Sequence, residues 1–251
     1  MRPASMDKDL KCIYLHYQDP FLRLGPFQYE VKNADPHIGM FRDFYSGDEC
    51  AKLVDVASGD LHTTPYFVGG EKKYFNSQRV SKRKHLTDKD TVLAKKSSQR
   101  ISLATRWQVH QEAHSSEHYH AINYGIGGQI EVHVDHWGPG TDPHPGGSRL
   151  VTFLGYLTQP QEGGFTVFPQ LALRIEPEAG SALFWLTAKT DDEFDSRMFH
   201  TGCPVAVGHK WLLTKWIYSD DQMWNHPCDA RADGGHNYPV FSNDCVKPIT
   251  L

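Results

Sequence analysis

The residues of this chain best suited to chemistry are a histidine and a carboxylate two positions apart, His133 and Asp135. They close a stretch in which Ile130, Val132 and Val134 alternate with polar residues. This period of two predicts a half-buried strand, on which His133 and Asp135 point to the same face. An imidazole and a carboxylate placed in this way can occupy neighbouring positions around one metal ion.

A pair of this kind also arises by chance, because about one His-x-Asp is expected in a chain with 15 histidines. The support comes from further along the chain, where His200 is followed at the tenth position by Lys210. A second histidine would complete the two-His-one-carboxylate triad of non-haem Fe(II) oxygenases, which leaves metal positions open. A histidine followed ten residues later by Lys or Arg is the pattern of 2-oxoglutarate-dependent oxygenases, in which the cation binds the distal carboxylate of the co-substrate.

Further motifs in the same order extend this pattern over nearly the whole chain. They are Asn123–Gln129, Gly163–Pro169, Gly180–Trp185 and Cys203–Trp216, preceded by Leu10–Cys12 and Pro20–Phe27. Together they resemble the catalytic domain of a collagen-type prolyl 4-hydroxylase alpha subunit, within the 2-oxoglutarate/Fe(II)-dependent dioxygenase superfamily.

The resemblance implies an oxygenase whose Fe(II) is bound by His133, Asp135 and His200, with an open metal position for O2. Oxidative decarboxylation of 2-oxoglutarate to succinate and CO2 would be coupled to hydroxylation at C4 of a proline in a collagen-like or proline-rich peptide. Ascorbate would restore iron that is oxidised in unproductive turnovers. The alternative for His133 and His200 is that they are ordinary histidines with satisfied hydrogen bonds.

The resemblance also implies that Lys210 pairs with the distal carboxylate of 2-oxoglutarate. The period of two alone leaves both faces of this strand open, because one face carries Lys210 and the other Lys215. A buried lysine is costly unless it is paired, and the family match favours Lys210. By the same match, Tyr124 and Thr166 would offer hydroxyls to the co-substrate and Trp216 would line its pocket. The alternatives are that Thr166 is a strand residue and Trp216 a core aromatic.

Substrate and partners are also implied by the resemblance alone. Collagen-type alpha subunits carry a further region ahead of the catalytic domain and work with protein disulfide isomerase in the lumen of the endoplasmic reticulum. We find no such region here, so we expect a piece of a longer protein or a shorter family member. The same core acting on another peptide or residue, or a non-catalytic subunit or binding module, is the alternative function.

Composition excludes some classes of partner. The 251 residues carry 26 Lys and Arg against 30 Asp and Glu, a net charge of −4. Beyond Lys82–Lys84 there is no basic run, so we expect no nucleic-acid partner. No apolar stretch approaches the roughly 18 residues that a membrane helix needs, so we expect no membrane span.

The chain has five cysteines. The family pairs cysteines at the places of Cys203 and Cys228, so the resemblance implies a disulfide there and an oxidising compartment. The alternative is two reduced, buried thiols. We expect Cys50 to be a core residue, while the pairing of Cys12 and Cys245 stays open.

Helix signals lie in the first half of the chain. Ser46 and Glu49 form a capping box, followed by an apolar stripe that ends at Gly59. A weaker capping signal at 87–90 predicts a second helix to about Trp107. From Tyr119 onward, apolar runs alternate with Gly and Pro turns. Strands are predicted near 119–124, 129–136, 149–157, 164–168, 171–176, 181–187, 197–200 and 210–218.

Many short antiparallel strands predict a sandwich or barrel. Among these, the resemblance selects the double-stranded β-helix, a cupin-like jelly roll. The predicted fold class is therefore mainly β (α+β), with flanking helices on the N-terminal side. We expect a single domain overall, in which an extended N-terminal segment over 1–45 leads into an Fe(II)/2-oxoglutarate dioxygenase domain over 46–251.

Overall fold

Strands dominate the computed structural model of the chain, which describes residues 10–68, 71–73, 79–109, 115–136, 147–222 and 225–226. The strands are β1 (Cys12–Leu15), β2 (Phe27–Asn33), β3 (Ile38–Arg42), β4 (His62–Thr63), β5 (Tyr66–Val68), β6 (Glu71–Lys73), β7 (Arg79–Val80), β8 (Lys82–Leu86), β9 (Tyr119–Tyr124), β10 (Gln129–His133), β11 (Arg149–Tyr156), β12 (Glu162–Gly163), β13 (Thr166–Phe168), β14 (Leu173–Ile175), β15 (Ala182–Leu186), β16 (His200–Gly202), β17 (Val205–Val207) and β18 (Lys210–Tyr218). The helices are α1 (Pro20–Leu24), α2 (Gly47–Ser58) and α3 (Val92–Thr105).

The main sheet has nine strands in the order β1-β2-β3-β15-β11-β18-β9-β8-β4. A second sheet has five strands in the order β14-β13-β16-β10-β7, and the named pairs in both sheets are antiparallel. Ile122 and Leu212 of the main sheet share one buried cluster with Phe168 and Ile175 of the smaller sheet. The two sheets therefore face each other across an apolar layer.

The helices cover the other face of the main sheet. Leu53 of α2 and Ile101 of α3 lie in a second buried cluster with Phe153 and Leu213 of the sheet. Strand β18 lies at the centre, between β11 and β9, and all of its residues are buried. Both faces of this strand thus lie inside the protein, one towards the small sheet and one towards the helices.

The capping box predicted for α2 is present. Ser46 accepts a hydrogen bond from the backbone N–H of Glu49, whose carboxylate accepts from the backbone N–H of Ser46. The second helix begins later than predicted. Thr87 and Asp90 close a turn of their own, and Thr91 caps α3 through the N–H of Leu93.

The predicted strands at 119–124 and 210–218 are confirmed at both ends. The strand predicted at 197–200 is wrong, because Ser196–Met198 form a 3-10 turn and β16 starts at His200. The turn begins where the carboxylate of Asp195 accepts from the N–H of Arg197, at 2.8 Å. The strand predicted at 171–176 is shorter than expected, since a 3-10 turn precedes β14.

Part of the predicted extended segment over 1–45 joins the main sheet. Strand β3 pairs with β15 from Phe41 against Ala182 to Ile38 against Trp185, and β2 continues the sheet outward. Among the described residues, none of the helices is long and apolar enough to span a membrane. Cys228 and Cys245 lie outside the described residues, so the Cys203–Cys228 pairing stays a prediction.

Candidate metal centre and co-substrate pocket

His133, Asp135 and His200 meet between the two sheets. The antiparallel pairing of β10 with β16 sets His133 directly opposite His200, and Asp135 follows two residues after β10 ends. The Nε2 atom of His133 lies 3.8 Å from Asp135 Oδ1, and that of His200 lies 3.6 Å from Asp135 Oδ2. One ligand atom from each residue lies within 4.8 Å of the other two.

Backbone contacts orient both imidazoles. The Nδ1 atom of His133 lies 2.8 Å from the carbonyl oxygen of Glu131, and that of His200 lies 3.0 Å from the carbonyl oxygen of Met198. A carbonyl only accepts, so each Nδ1 carries the proton and each Nε2 keeps a free lone pair towards Asp135. The two rings are therefore in the tautomer that a metal ligand needs.

The carboxylate of Asp135 is also oriented by a hydrogen bond and favoured in its ionised form. The hydroxyl of Thr152 donates to Asp135 Oδ2 at 2.7 Å, from strand β11. Burial raises the pKa of Asp135, but the facing His200, His133 and Arg149 outweigh burial, so the pKa lies below its ordinary value. Desolvation, together with His200, lowers the pKa of His133. The triad thus favours an ionised carboxylate beside a neutral His133.

This donor set fits Fe(II). Two imidazole nitrogens and one carboxylate are the ligands of the facial triad, and the remaining side of the cluster opens into a pocket. Within the described ranges, these three residues are the cluster that could hold a metal ion.

Lys210 lies in the same pocket. Its side chain is 2% exposed, and its Nζ donates to the carbonyl oxygen of Gly164 at 2.7 Å. Desolvation lowers the pKa of Lys210 to about 8. In the described part of the chain, no carboxylate lies within ion-pair distance of this ammonium. A buried cation of this kind is stabilised by an anionic ligand.

The other predicted pocket residues line the same cavity. Tyr124, Thr166 and Trp216 surround it with Lys210 and the three metal-ligand candidates. The hydroxyl of Thr166 lies 2.8 Å from that of Tyr156, and the ammonium of Lys210 lies 5.5 Å from the Tyr124 ring centre. The structure therefore brings together all seven residues that the sequence singled out, although their roles in binding stay predictions.

Some pocket residues were missed. Thr152 and Leu154 line the cavity from β11, where a period of two could have placed them. Trp185 packs its ring on His200 at 5.0 Å. Arg79 lies next to Tyr124, with its Nε buried and without a hydrogen-bond partner among the described residues. No signal in the sequence marks Arg79.

The architecture and the site define a class of protein. Residues 119–218 match the model of the 2OG-Fe(II) oxygenase superfamily, and this part of the chain belongs to that superfamily. The matched region contains all seven predicted site residues. The expected mainly-β fold of the jelly-roll type is confirmed.

Similarity to individual proteins narrows the class. The chain is 34% identical over 88% of its length to human prolyl 4-hydroxylase subunit alpha-3, and 32% identical over 96% to prolyl 4-hydroxylase subunit alpha-1 of Caenorhabditis elegans. It spans 41% and 43% of those two relatives. The predicted resemblance to prolyl 4-hydroxylase alpha subunits is confirmed.

A solved structure supports the fold. The viral collagen prolyl hydroxylase of Paramecium bursaria Chlorella virus-1, in its 2OG complex, superposes with a TM-score of 0.55. The match covers 72% of this chain and 94% of the viral chain, at 24% sequence identity.

Proposed function

We propose that the chain is a prolyl 4-hydroxylase that couples hydroxylation of a peptidyl proline to oxidative decarboxylation of 2-oxoglutarate. One observation carries the proposal. Lys210 is a buried ammonium without a carboxylate partner among the described residues, and it lies in the same pocket as His133, Asp135 and His200. A ligand with a carboxylate at one end and a metal-chelating group at the other complements both features.

The chain's own residues would bind and orient the reactants. His133, Asp135 and His200 would hold Fe(II), which together with 2-oxoglutarate and O2 supplies the oxidising chemistry. Lys210 would anchor the distal carboxylate of 2-oxoglutarate by charge and hydrogen bonding.

Tyr124 and Thr166 would donate hydroxyl hydrogen bonds to the same carboxylate. Thr166 is oriented by its contact with Tyr156. Trp216 would close the pocket wall and exclude water.

The substrate we propose is a collagen-like or proline-rich peptide. The support is that the similar proteins are named prolyl 4-hydroxylase subunits and that the viral structure is a collagen prolyl hydroxylase. Proline-rich segments keep a preformed polyproline II conformation, so a groove can bind them at low entropic cost.

The family resemblance of the sequence implies three further proposals. Ascorbate would keep the iron reduced, protein disulfide isomerase would be a partner of the whole protein, and the protein would work in the lumen of the endoplasmic reticulum. The predicted Cys203–Cys228 disulfide would suit such an oxidising compartment.

A turnover assay tests the proposed activity. The purified chain, loaded with Fe(II) and supplied with 2-oxoglutarate and ascorbate, should release succinate faster when a (Pro-Pro-Gly)-type peptide is added. Mass spectrometry should find one added oxygen on proline. His133→Ala should abolish both signals, and Lys215→Met is the matched control on the main sheet.

The outcomes separate the alternatives. Succinate release that the peptide does not stimulate would reject this substrate and favour another peptide or residue. Absence of turnover in a chain that binds the metal would contradict the enzyme and favour a non-catalytic subunit.

A further inference from the structure

A cluster of buried charged and polar side chains lies directly behind the metal centre. Glu117 precedes β9, His120 lies on β9, and Arg149 opens β11. All three are less than a tenth exposed. Glu117 accepts from Arg149 Nε at 2.6 Å and also pairs with Arg149 Nη2, while its second oxygen lies 3.1 Å from His120 Nε2.

The cluster contacts two parts of the site. Arg149 Nη1 makes a long hydrogen bond to the backbone carbonyl of Asp135, at 3.4 Å. The guanidinium stacks over Trp216 at 4.0 Å, and the backbone N–H of Glu117 donates to the carbonyl oxygen of Trp216. The cluster thus contacts both the segment of the metal carboxylate and a wall of the pocket.

The protonation states in the cluster follow from its surroundings. Burial lowers the pKa of His120 to about 3, so the ring is neutral at pH 7. Arg83 Nη1 lies 3.3 Å from His120 Nδ1, which accepts, and Nε2–H therefore donates to Glu117. Burial raises the pKa of Glu117, but His120 and Arg149 outweigh it, and the carboxyl is ionised.

Arg149 therefore stands between two carboxylates. Glu117 takes two of its nitrogen atoms, while Asp135 lies near enough for Arg149 to lower its pKa. A carboxylate that forms an ion pair with a guanidinium is a poorer ligand, because the cation competes with the metal for the same charge. Metal binding therefore depends on which of the two carboxylates, Glu117 or Asp135, Arg149 pairs with.

We infer that Glu117 is a positioning residue that holds Arg149 away from the carboxylate of Asp135 and so keeps Asp135 available to the metal. Without the charge of Glu117, the nitrogen atoms of Arg149 that Glu117 binds turn towards the carboxylate of Asp135, the metal ligand. The inference deepens the proposed function and rests on its metal site.

Metal affinity tests this inference without any turnover. Co(II) is titrated into the purified chain and followed by its visible absorption and by calorimetry. Glu117→Gln, which keeps the shape of the side chain, should weaken Co(II) binding by about 10- to 100-fold, as changes behind a metal ligand do. The double variant Glu117→Gln with Arg149→Met removes the competing cation and should recover the affinity to within about threefold of the unchanged chain.

Another Glu–Arg pair supplies the control. Glu49 pairs with Arg100 through two hydrogen bonds on the helix side of the main sheet, at 2.6 and 3.0 Å. Glu49→Gln should leave the Co(II) affinity unchanged, because that pair lies away from the pocket.

Two results would overturn the inference: Glu117→Gln binds Co(II) as well as the unchanged chain, or the double variant binds Co(II) as weakly as the single one. A single variant that does not fold, as judged by circular dichroism, leaves the decision to the double variant. Near-normal affinity of that variant supports the inference, and a tenfold loss contradicts it. Failure of the unchanged chain to bind Co(II) would instead overturn the metal site itself.

Discussion

Lys210 and Lys215 lie on opposite faces of β18, and the comparison between them separates burial from function. Both side chains are at most 2% exposed, and desolvation lowers the pKa of each to about 8. Lys210 donates to Gly164 and faces the cavity of the metal centre. Lys215 faces the helices, with its ammonium 4.3 Å from the Tyr119 ring centre and without a hydrogen-bond partner among the described residues.

A buried lysine is therefore not by itself a sign of ligand binding. What distinguishes Lys210 is the cavity in front of it and the metal ligands that share that cavity. Lys215 lies against an aromatic ring, which stabilises a desolvated ammonium by roughly 2 kcal/mol.

The largest effect should come from removing the Lys210 charge. Lys210→Met should raise the KM for 2-oxoglutarate at least about 100-fold, because the distal carboxylate would then be buried without its counterion. Lys215→Met should leave this KM within about threefold, since Lys215 faces away from the pocket. Succinate release measured against 2-oxoglutarate concentration compares the two. Equal effects of the two substitutions on this KM would contradict the proposal that Lys210, and not Lys215, binds the co-substrate.

A smaller effect is expected when the Thr152 hydroxyl, which lies on the pocket face of the main sheet, is removed: a loss of metal affinity. Thr152→Val keeps the shape of the side chain but deletes the hydrogen bond to Asp135, and it should weaken metal binding by about 10- to 100-fold. Thr105→Val deletes a buried hydroxyl that bonds within α3, so it should alter stability alone. Calorimetric titration with Co(II) measures both variants. Unchanged Co(II) affinity in Thr152→Val would show that Thr152 does not orient Asp135 for metal binding.

On the helix face, the expected effect is on stability. Lys215→Met should raise the free energy of unfolding at pH 7 by roughly 1–3 kcal/mol, because it removes a desolvated charge without a hydrogen bond. The stability advantage of Lys215→Met over the unchanged chain should shrink as the pH rises above about 8. There the folded chain already has a neutral lysine while the unfolded chain still binds the proton, so the unchanged protein gains stability with pH. Urea denaturation at both pH values checks this, and a stability loss at pH 7 would contradict it.

The smallest effect concerns the pH dependence of co-substrate binding. Below about pH 8, Lys210 is charged in the free enzyme and the KM for 2-oxoglutarate should be flat. Above that pH the ammonium is lost and the KM should rise by up to about tenfold per pH unit. Lys210→Arg stays charged and should abolish the rise, although its larger head group fits less well. A KM that is independent of pH in the unchanged chain would argue against an ion pair at Lys210.

The sequence predicts the elements that have strong local signals. The capping box predicts the start of α2, and the apolar runs between Gly and Pro turns predict the ends of β9 and β18. The buried face of β18 could not be predicted from its period of two, because the strand is central in a three-layer structure and both faces are covered.

In the candidate site, too, the sequence predicts some residues and not others. His133, Asp135 and His200 could be found because their spacing is a motif, and the family resemblance added the pocket residues. Glu117 and Arg149 could not be found, since their pairing depends on how β11 is set beside the segment before β9. The 3-10 turn before His200 was missed because its signal, a carboxylate capping the next turn, is weak in the sequence.

The pairing of β3 with β15 has a practical consequence for producing the protein. Every residue of β15 is buried, and its Trp185 packs against His200. A shortened chain that starts at Ser46 would lose β2 and β3 and leave this apolar edge with unpaired backbone groups. Such edges pair with other molecules, so the shortened chain should accumulate as aggregates during expression. Solubility would therefore depend on residues far from the pocket.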